Sequence, residues 1–207
     1  MAPAVKTPHV KARVKPNQIK SNFLFLGKFF RHGITIASVW PSSKSLCKAT
    51  IKEVDFAKAR VIVELGAGTG PITDMVISKL QPHTRFIAIE RDADFAKILR
   101  ERFSGLSNVE IVHADVRDLE KILRARGIKE VDCFLSGLPT PTLPEPVRMS
   151  MLACVRKYLS AHGVYSNITE VPYIYLKYYR SVFKDVDFQF VAKNLPPGGV
   201  YHCRTMR

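Results

Sequence analysis

A glycine-rich turn directly after a short apolar run constrains this chain more than any other feature. Residues 61–65 are apolar and mostly β-branched except for Glu64, which is typical of a buried strand. The segment 66–70, Gly-Ala-Gly-Thr-Gly, follows at once. Glycine lets the backbone turn tightly and come close to a ligand. The pattern therefore predicts a strand, a ligand-binding turn and a helix.

Strands and helices alternate beyond this turn. Further strands are predicted at 86–89, 109–112, 131–135 and 163–168. Helices are predicted at 71–80, 92–103, 117–126, 144–160 and 172–184. Residues 188–193 and 200–205 predict a closing hairpin around 194–199. This alternation predicts an α/β fold with a doubly wound, mostly parallel sheet, in a domain spanning 59–207.

The glycine spacing indicates which ligand the turn binds. A dinucleotide site has the pattern GxGxxG, whereas here the third glycine comes one residue early and position 71 is proline. Pyrophosphate favours backbone N–H groups at a helix N-terminus. S-adenosyl-L-methionine has no phosphate but carries a sulfonium cation, which an acid such as Glu64 can help to hold. We therefore predict S-adenosyl-L-methionine as the cofactor and S-adenosyl-L-homocysteine as its product.

Two more acids follow successive predicted strands. Glu90 ends the second strand, where a carboxylate can accept hydrogen bonds from ribose hydroxyls. Asp115 follows the third strand, where a carboxylate can accept from the adenine amino group. The predicted cofactor site comprises Glu64, Gly66, Gly68, Thr69, Gly70, Glu90, Arg91, Asp115, Val116 and Ser136. Residues 60–205 resemble the class I methyltransferases in this order of motifs, and the resemblance implies a seven-stranded sheet and methyl transfer.

Three other segments carry a narrower resemblance. They are Ala37 to Ser43, Ser136 to Pro139 after the fourth strand, and Asn194 to Pro197. From about residue 23 to the end, the chain resembles the bacterial phospholipid N-methyltransferases. The resemblance implies stepwise methylation of the phosphatidylethanolamine amine toward phosphatidylcholine. It places Ser136, Gly137 and Leu138 at the reacting amine. One of Tyr173, Tyr175, Tyr178 and Tyr179 is expected to act as an aromatic partner, with Tyr173 as the candidate.

One stretch departs from that family. After the fifth strand its members tend to carry an aromatic residue near a Phe-Thr-Tyr segment, whereas this chain has Asn-Ile-Thr-Glu at 167–170. A related aminolipid, such as an ornithine lipid, is therefore an alternative acceptor.

Positive charge is concentrated at the N-terminus. Residues 1–52 contain ten Lys and Arg and no Asp or Glu, out of a formal net charge of +14. We predict a flexible basic arm at 1–16 and a helical extension at 17–58, whose amphipathic helix at 17–32 lies on an anionic membrane or packs on the core as a lid. The predicted membrane and substrate contacts are Phe23, Lys28, Phe29, Phe30, Arg31, Ser42, Ser43 and Lys44.

No signal peptide or spanning segment is visible, so we expect a cytoplasmic protein, peripheral at the inner face of the membrane. No feature specifies an oligomeric state. The four cysteines form no CxxC pair, so no metal site is predicted, and we interpret them as small buried hydrophobic residues.

Two alternatives remain open. A ribosomal RNA adenine methyltransferase shares the predicted fold and the basic charge, but its Asn-Leu-Pro-Tyr signature is Gly-Leu-Pro-Thr here, at 137–140. A non-catalytic protein that keeps only the fold is the other alternative. The intact glycine turn and the three acids argue against it.

Overall fold

The computed structural model describes residues 43–171 and 173–206. The predicted basic arm, the helix at 17–32 and six of the predicted membrane contacts lie outside the described residues. Those six are Phe23, Lys28, Phe29, Phe30, Arg31 and Ser42. The division of the chain at residues 58 and 59 stays a prediction.

The described residues form seven strands and six α-helices in alternation. The strands are β1 Val61–Leu65, β2 Arg85–Glu90, β3 Val109–His113, β4 Val131–Ser136, β5 Leu159–Thr169, β6 Phe183–Val191 and β7 Gly198–Met206. The helices are α1 Lys44–Thr50, α2 Pro71–Ile77, α3 Ala93–Phe103, α4 Leu119–Ala125, α5 Glu145–Tyr158 and α6 Leu176–Val182. Short 3₁₀ turns cover Val116–Asp118 and Thr140–Thr142.

All seven strands belong to one sheet, in the order β3-β2-β1-β4-β5-β7-β6. The pairs among β1 to β5 are parallel, and β7 runs antiparallel to both β5 and β6. Leu65 pairs with Ser136, and Ser136 pairs with Asn167, so β1, β4 and β5 end side by side. The predicted doubly wound, mostly parallel seven-stranded fold is confirmed.

Apolar side chains on both faces of the sheet pack against helices. One face buries residues of α4, α5 and α6 against β1: Leu119, Met151, Tyr179, Val63 and Leu65. The other buries residues of α1, α2 and α3 against the same strand: Cys47, Val76, Leu99 and Ile62. Each fully buried side chain of this size contributes about 1.5–3 kcal/mol. The two layers fix the strand ends, and the functional residues follow those ends.

Several element boundaries differ from the sequence-based expectation. Strand β6 begins at Phe183, five residues before the predicted 188, and α6 is correspondingly shorter than 172–184. Phe183 is fully buried and its ring stacks on Tyr165 at 5.5 Å between centroids, so tertiary packing decides its conformation. Likewise β5 begins at Leu159, within the predicted helix 144–160. The predicted helix at 117–126 opens with a 3₁₀ turn, because Asp115 accepts a hydrogen bond from the Arg117 N–H there.

All four cysteines are buried thiols, which confirms their interpretation as small hydrophobic residues: Cys47, Cys133, Cys154 and Cys203. In the part of the chain that the structure describes, no helix has the length and apolar character needed to span a bilayer.

Candidate active site

The glycine turn joins β1 to α2 in a conformation that suits only glycine. Gly66, Gly68 and Gly70 have φ angles of +76°, +55° and +88°, in the left-handed region that side chains disfavour. The N–H groups of Gly66 and Ala67 donate to the Ile89 carbonyl at 2.9 and 3.2 Å. The turn is therefore fixed against the carboxyl end of β2.

Glu90 links this turn to the next helix. Its Oε2 accepts from the Gly68 N–H at 2.7 Å, and its Oε1 accepts from the Asp92 N–H at 2.7 Å. Each carboxylate oxygen can accept a second hydrogen bond. A Cβ built at Gly68 meets no atom within 4 Å, so open space borders the turn beside Glu90.

Glu64 lies fully buried behind the first turn of α2. Its Oε2 accepts from the Thr73 hydroxyl at 2.6 Å, whereas its Oε1 is buried without a hydrogen-bond partner among the described residues. Burial raises the pKa of Glu64 to about 8; the Thr73 hydrogen bond opposes this shift and the charge of Glu90 adds to it. When one oxygen of a buried carboxyl has no hydrogen-bond partner, a nearby cation stabilises the ionised carboxylate. Thr73 is not among the residues predicted from sequence, although its hydroxyl lies nine residues after an acid in a predicted buried strand.

Asp115 lies at the same sheet edge but is held by Arg117. Its oxygens accept from the Arg117 backbone N–H at 2.9 Å and from the Nε and Nη2 groups at 3.1 and 3.2 Å. Burial by itself would raise the pKa of Asp115, but the hydrogen bonds and positive charge of Arg117 hold it below its usual value.

The chain segments at the ends of β2 and β3 are hydrogen-bonded to each other next to Asp115 and Arg117. The Ala114 N–H donates to the Glu90 carbonyl at 3.0 Å, and the His113 ring lies 3.1 Å from the Arg91 carbonyl. Val116 is partly buried against the core. The three predicted acids thus lie at the ends of neighbouring strands or just after them, along one edge of the sheet, with Glu64 beneath the surface and the other two nearer to it.

The segment 136–140, which comprises the last residue of β4 and the loop after it, lies directly against the glycine turn, and we call it the acceptor loop. The Gly137 N–H donates to the Leu65 carbonyl at 3.0 Å. A Cβ at Gly66 would lie 2.5 Å from Leu138 Cδ2, and one at Gly137 would lie 2.9 Å from the Gly66 carbonyl oxygen. Glycine at both positions therefore allows the two loops to touch.

The predicted catalytic groups of the acceptor loop differ in exposure. Ser136 is fully buried, and its Oγ accepts from the Leu138 N–H at 3.3 Å. The Leu138 carbonyl accepts from the Thr140 N–H at 2.8 Å and from Asn167 Nδ2 at 3.1 Å. Gly137 is exposed. Among the three predicted catalytic residues of this loop, Gly137 is therefore the most accessible.

A buried polar cluster supports the acceptor loop from below. The Thr140 hydroxyl lies 2.8 Å from the Tyr165 hydroxyl and donates to Asn167 Oδ1 at 2.6 Å. Tyr165 also donates to Asn167 Oδ1, at 2.7 Å, and burial raises the Tyr165 pKa well above its usual range. This cluster is not among the residues predicted from sequence, although Asn167 is a polar residue within the predicted strand 163–168.

The remaining predicted contacts lie around the C-terminal hairpin. The Ser43 N–H donates to Asn194 Oδ1 at 3.0 Å, so two of the segments that suggested a lipid enzyme are hydrogen-bonded together. Lys44 is exposed at the start of α1. Tyr173 is 60% exposed with a φ of +69°, and its ring packs on Phe188 at 4.6 Å between centroids. The structure therefore associates Tyr173 with the hairpin.

The strand order and the glycine turn at the end of β1 define a class I S-adenosylmethionine-dependent methyltransferase. Solved structures agree on the fold. TrmN from Thermus thermophilus matches with a TM-score of 0.59 and 21% identity, over 87% of this chain and 52% of that chain. An O-methyltransferase from Thermotoga maritima matches with a TM-score of 0.57 and 13% identity, over 88% and 71%.

Sequence relatives narrow the assignment. The chain is 47% identical to the ornithine lipid N-methyltransferase of Singulisphaera acidiphila over 189 residues, which is 91% of this chain and 98% of that protein. It belongs to the same family of S-adenosylmethionine-dependent methyltransferases. The narrower resemblance to phospholipid N-methyltransferases stays a prediction.

A second set of relatives matches only part of the chain. The family described as ribosomal RNA adenine dimethylase matches residues 40–132. Ribosomal RNA small subunit methyltransferase A of Thermotoga petrophila is 34% identical over 104 residues, half of this chain and 36% of that protein.

Proposed function

We propose that this enzyme methylates the amine nitrogen of a membrane aminolipid, with ornithine lipid as the first acceptor to test and phosphatidylethanolamine as the second. The observation that carries the proposal is the 47% identity to an enzyme named for ornithine lipid, along 98% of that enzyme's length. This likeness extends beyond the cofactor half of the fold to the strands that follow the acceptor loop.

The residues at the sheet edge fit S-adenosylmethionine on two observations. Glu64 Oε1 is buried without a partner among the described residues, and the space beside Gly68 is open. When bound, this cofactor supplies an electrophilic methyl group on a sulfonium. We assign its binding to the backbone of 66–70, to the remaining acceptor capacity of Glu90 and Asp115, and to the negative potential of Glu64 if its carboxyl ionises.

The acceptor loop positions the amine in this proposal. An alkylamine has a pKa of about 10 and must lose its proton to expose a lone pair. Burial of the amine next to the glycine turn favours the neutral form. The exposed peptide at Gly137 orients the nitrogen, while Asn167 holds the Leu138 carbonyl in place. Alignment of this kind contributes several kcal/mol, up to about 7–11 in favourable cases.

The structure of position 140 disfavours RNA as the acceptor. In the ribosomal RNA signature this position carries a tyrosine that stacks on a flipped base. Here Thr140 is fully buried, and its hydroxyl bonds to Asn167. The match to the ribosomal RNA family also ends at residue 132, before the acceptor loop begins. The shared part is therefore the cofactor half of the fold.

The membrane contact belongs to the proposal as well. The ten cations of residues 1–52 and the three phenylalanines at positions 23, 29 and 30 suit an anionic bilayer surface. We therefore propose a peripheral enzyme at the inner face of the cytoplasmic membrane.

The test is a methyl-transfer assay with the full-length protein, labelled S-adenosylmethionine and three acceptors. These are ornithine lipid and phosphatidylethanolamine, each dispersed in detergent, and ribosomal RNA. We expect label in a lipid, with the number of added methyl groups given by mass spectrometry. Glu90→Gln should lose most activity and Glu130→Gln, an exposed residue before β4, should retain it. Label in RNA alone, or cofactor binding by calorimetry without transfer to any acceptor, would refute the proposal.

A further inference from the structure

Exposed apolar side chains are concentrated at one place in the described residues. Seven large hydrophobic residues are exposed in that part of the chain, and five of them come from two short segments, 171–174 and 190–195. We call these five the apolar rim: Val171, Tyr173, Ile174, Phe190 and Leu195. Ile174 is 67% exposed and Leu195 is 72% exposed. Scattered exposed apolar residues need no explanation, but a cluster of them marks an interaction site.

The two segments of the rim border each other. Thr169 at the end of β5 pairs with Gly199 of β7, which pairs with Phe190 of β6. The Tyr173 ring packs on Phe188, two residues before Phe190 on the same strand. The rim therefore forms one continuous border at the end of the β6–β7 hairpin.

This border adjoins the acceptor loop. Asn167, whose amide holds the Leu138 carbonyl, lies two residues before Thr169 on β5. Gly198 packs close to Thr169, since a Cβ there would lie 2.8 Å from the Thr169 carbonyl oxygen. A surface that covered the rim would thus lie next to the place where the acceptor amine is proposed to bind.

The charged residues within the rim segments are cations. The segments 171–180 and 188–199 contain Lys177, Arg180 and Lys193 and no Asp or Glu, and the acids directly next to them are Glu170 and Asp187. Lys177 and Lys193 are exposed. Exposed aliphatic side chains flanked by cations match a bilayer with anionic headgroups, where apolar groups enter the acyl boundary and cations remain among the headgroups.

We propose that the apolar rim inserts into the headgroup region of an anionic bilayer and so presents the acceptor loop to a lipid amine. This inference rests on the proposed function, and it adds a lipid-binding surface within the methyltransferase domain to the one predicted at the N-terminus. Three of the five rim residues are aliphatic, and two of these, Ile174 and Leu195, are its most exposed side chains, so the rim suits the acyl boundary of a bilayer.

The test is sedimentation of the full-length protein with vesicles of phosphatidylcholine, with and without phosphatidylglycerol. Ile174→Ser and Leu195→Ser should each weaken partitioning about tenfold. Leu106→Ser is the control, because Leu106 is exposed in the loop before β3 at the opposite edge of the sheet. Lys193→Gln should weaken binding about fivefold on phosphatidylglycerol vesicles only, and its control is the exposed Lys129 before β4.

Three outcomes would overturn the proposal. They are unchanged partitioning of the rim variants, equal loss in the Leu106 control, and, in a parallel RNA-binding assay, loss of RNA binding with vesicle binding intact. Unchanged partitioning together with lower melting temperatures of the rim variants would mean that part of this chain covers the rim. Because the vesicles contain no aminolipid, partitioning is independent of the methyl acceptor. Failure to methylate detergent-dispersed aminolipid would therefore refute the proposed function alone.

Discussion

Substituting alanine for Gly66 tests whether the glycine turn and the acceptor loop touch as the structure shows. At a φ of +76° an alanine costs about 1–2 kcal/mol in backbone conformation. Its methyl group would also lie 2.5 Å from Leu138 Cδ2, and overpacking of this kind costs roughly 1–3 kcal/mol. We therefore expect Gly66→Ala to lower the free energy of unfolding by about 2–5 kcal/mol.

Gly68→Ala is the matched control in the same turn. Its φ of +55° carries a similar conformational cost, about 1–2 kcal/mol, but no atom lies within 4 Å of the added methyl group. Gly66→Ala should have the larger effect on stability, whereas Gly68→Ala should have the larger effect on cofactor binding. The methyl group that Gly68→Ala adds enters the space that we assign to S-adenosylmethionine. Its clash with the cofactor should weaken cofactor affinity about tenfold or more.

The test is completed by urea denaturation of four variants. They are Gly66→Ala, Gly68→Ala, Leu138→Ala and the double variant Gly66→Ala/Leu138→Ala. Shortening Leu138 removes the atom that the methyl group added at position 66 would strike, so the double-mutant cycle should give a favourable coupling of about 1–3 kcal/mol. A coupling below about 0.5 kcal/mol, together with equal costs at positions 66 and 68, would show that the two loops do not pack as described.

Three further changes test separate parts of the site. The folded-state pKa of Glu64 is about 8 against an ordinary 4.5, so wild-type stability should fall as the pH rises from 4.5 to 8. At pH 9, urea titrations should therefore show Glu64→Gln to be more stable than wild type by roughly 3–5 kcal/mol. Asn167→Leu removes the hydrogen bond to the Leu138 carbonyl of the acceptor loop and, at assay temperatures below the melting temperature, should lower kcat at least tenfold. Asn108→Leu loses two hydrogen bonds at the opposite edge of the sheet and should leave kcat unchanged. Ser43→Ala removes the N-cap of α1 and should cost about 1 kcal/mol in the same denaturation assay, with unchanged cofactor affinity.

The cofactor half of the fold could be predicted from sequence because its signals are local. A β-branched run, three glycines and an acid at each following strand end are all visible within about 55 residues, 61–115. Strands β1 to β4 begin and end within one residue of the predicted positions. The exposed or buried state of each acid could not be predicted, because Glu64 is covered by α2 and Asp115 is held by a neighbouring arginine.

The acceptor half depends on contacts between distant residues, which local patterns do not report. Phe183 becomes part of a strand because it stacks on Tyr165. Asn194 binds the backbone of Ser43, which is 151 positions away in sequence. The sequence contains the motif residues at 43 and 194 as separate segments, and their pairing depends on the hairpin strand β7 lying antiparallel beside β5.

The boundary between the two halves also explains why the relatives point to different acceptors. The ribosomal RNA match spans α1 to the start of β4, which contains the glycine turn, Glu90 and Asp115. We assign those residues to the cofactor, so likeness there carries no information about the acceptor. In our proposal the acceptor is selected by the loop after β4 and by the residues of β5 and of the hairpin that lie beneath and beside it. In this chain that region buries Thr140 against Asn167 instead of presenting a ring, and it borders an exposed apolar rim flanked by cations. The physical chemistry of the second half therefore supports a lipid amine over a flipped base, in the same direction as the full-length relative.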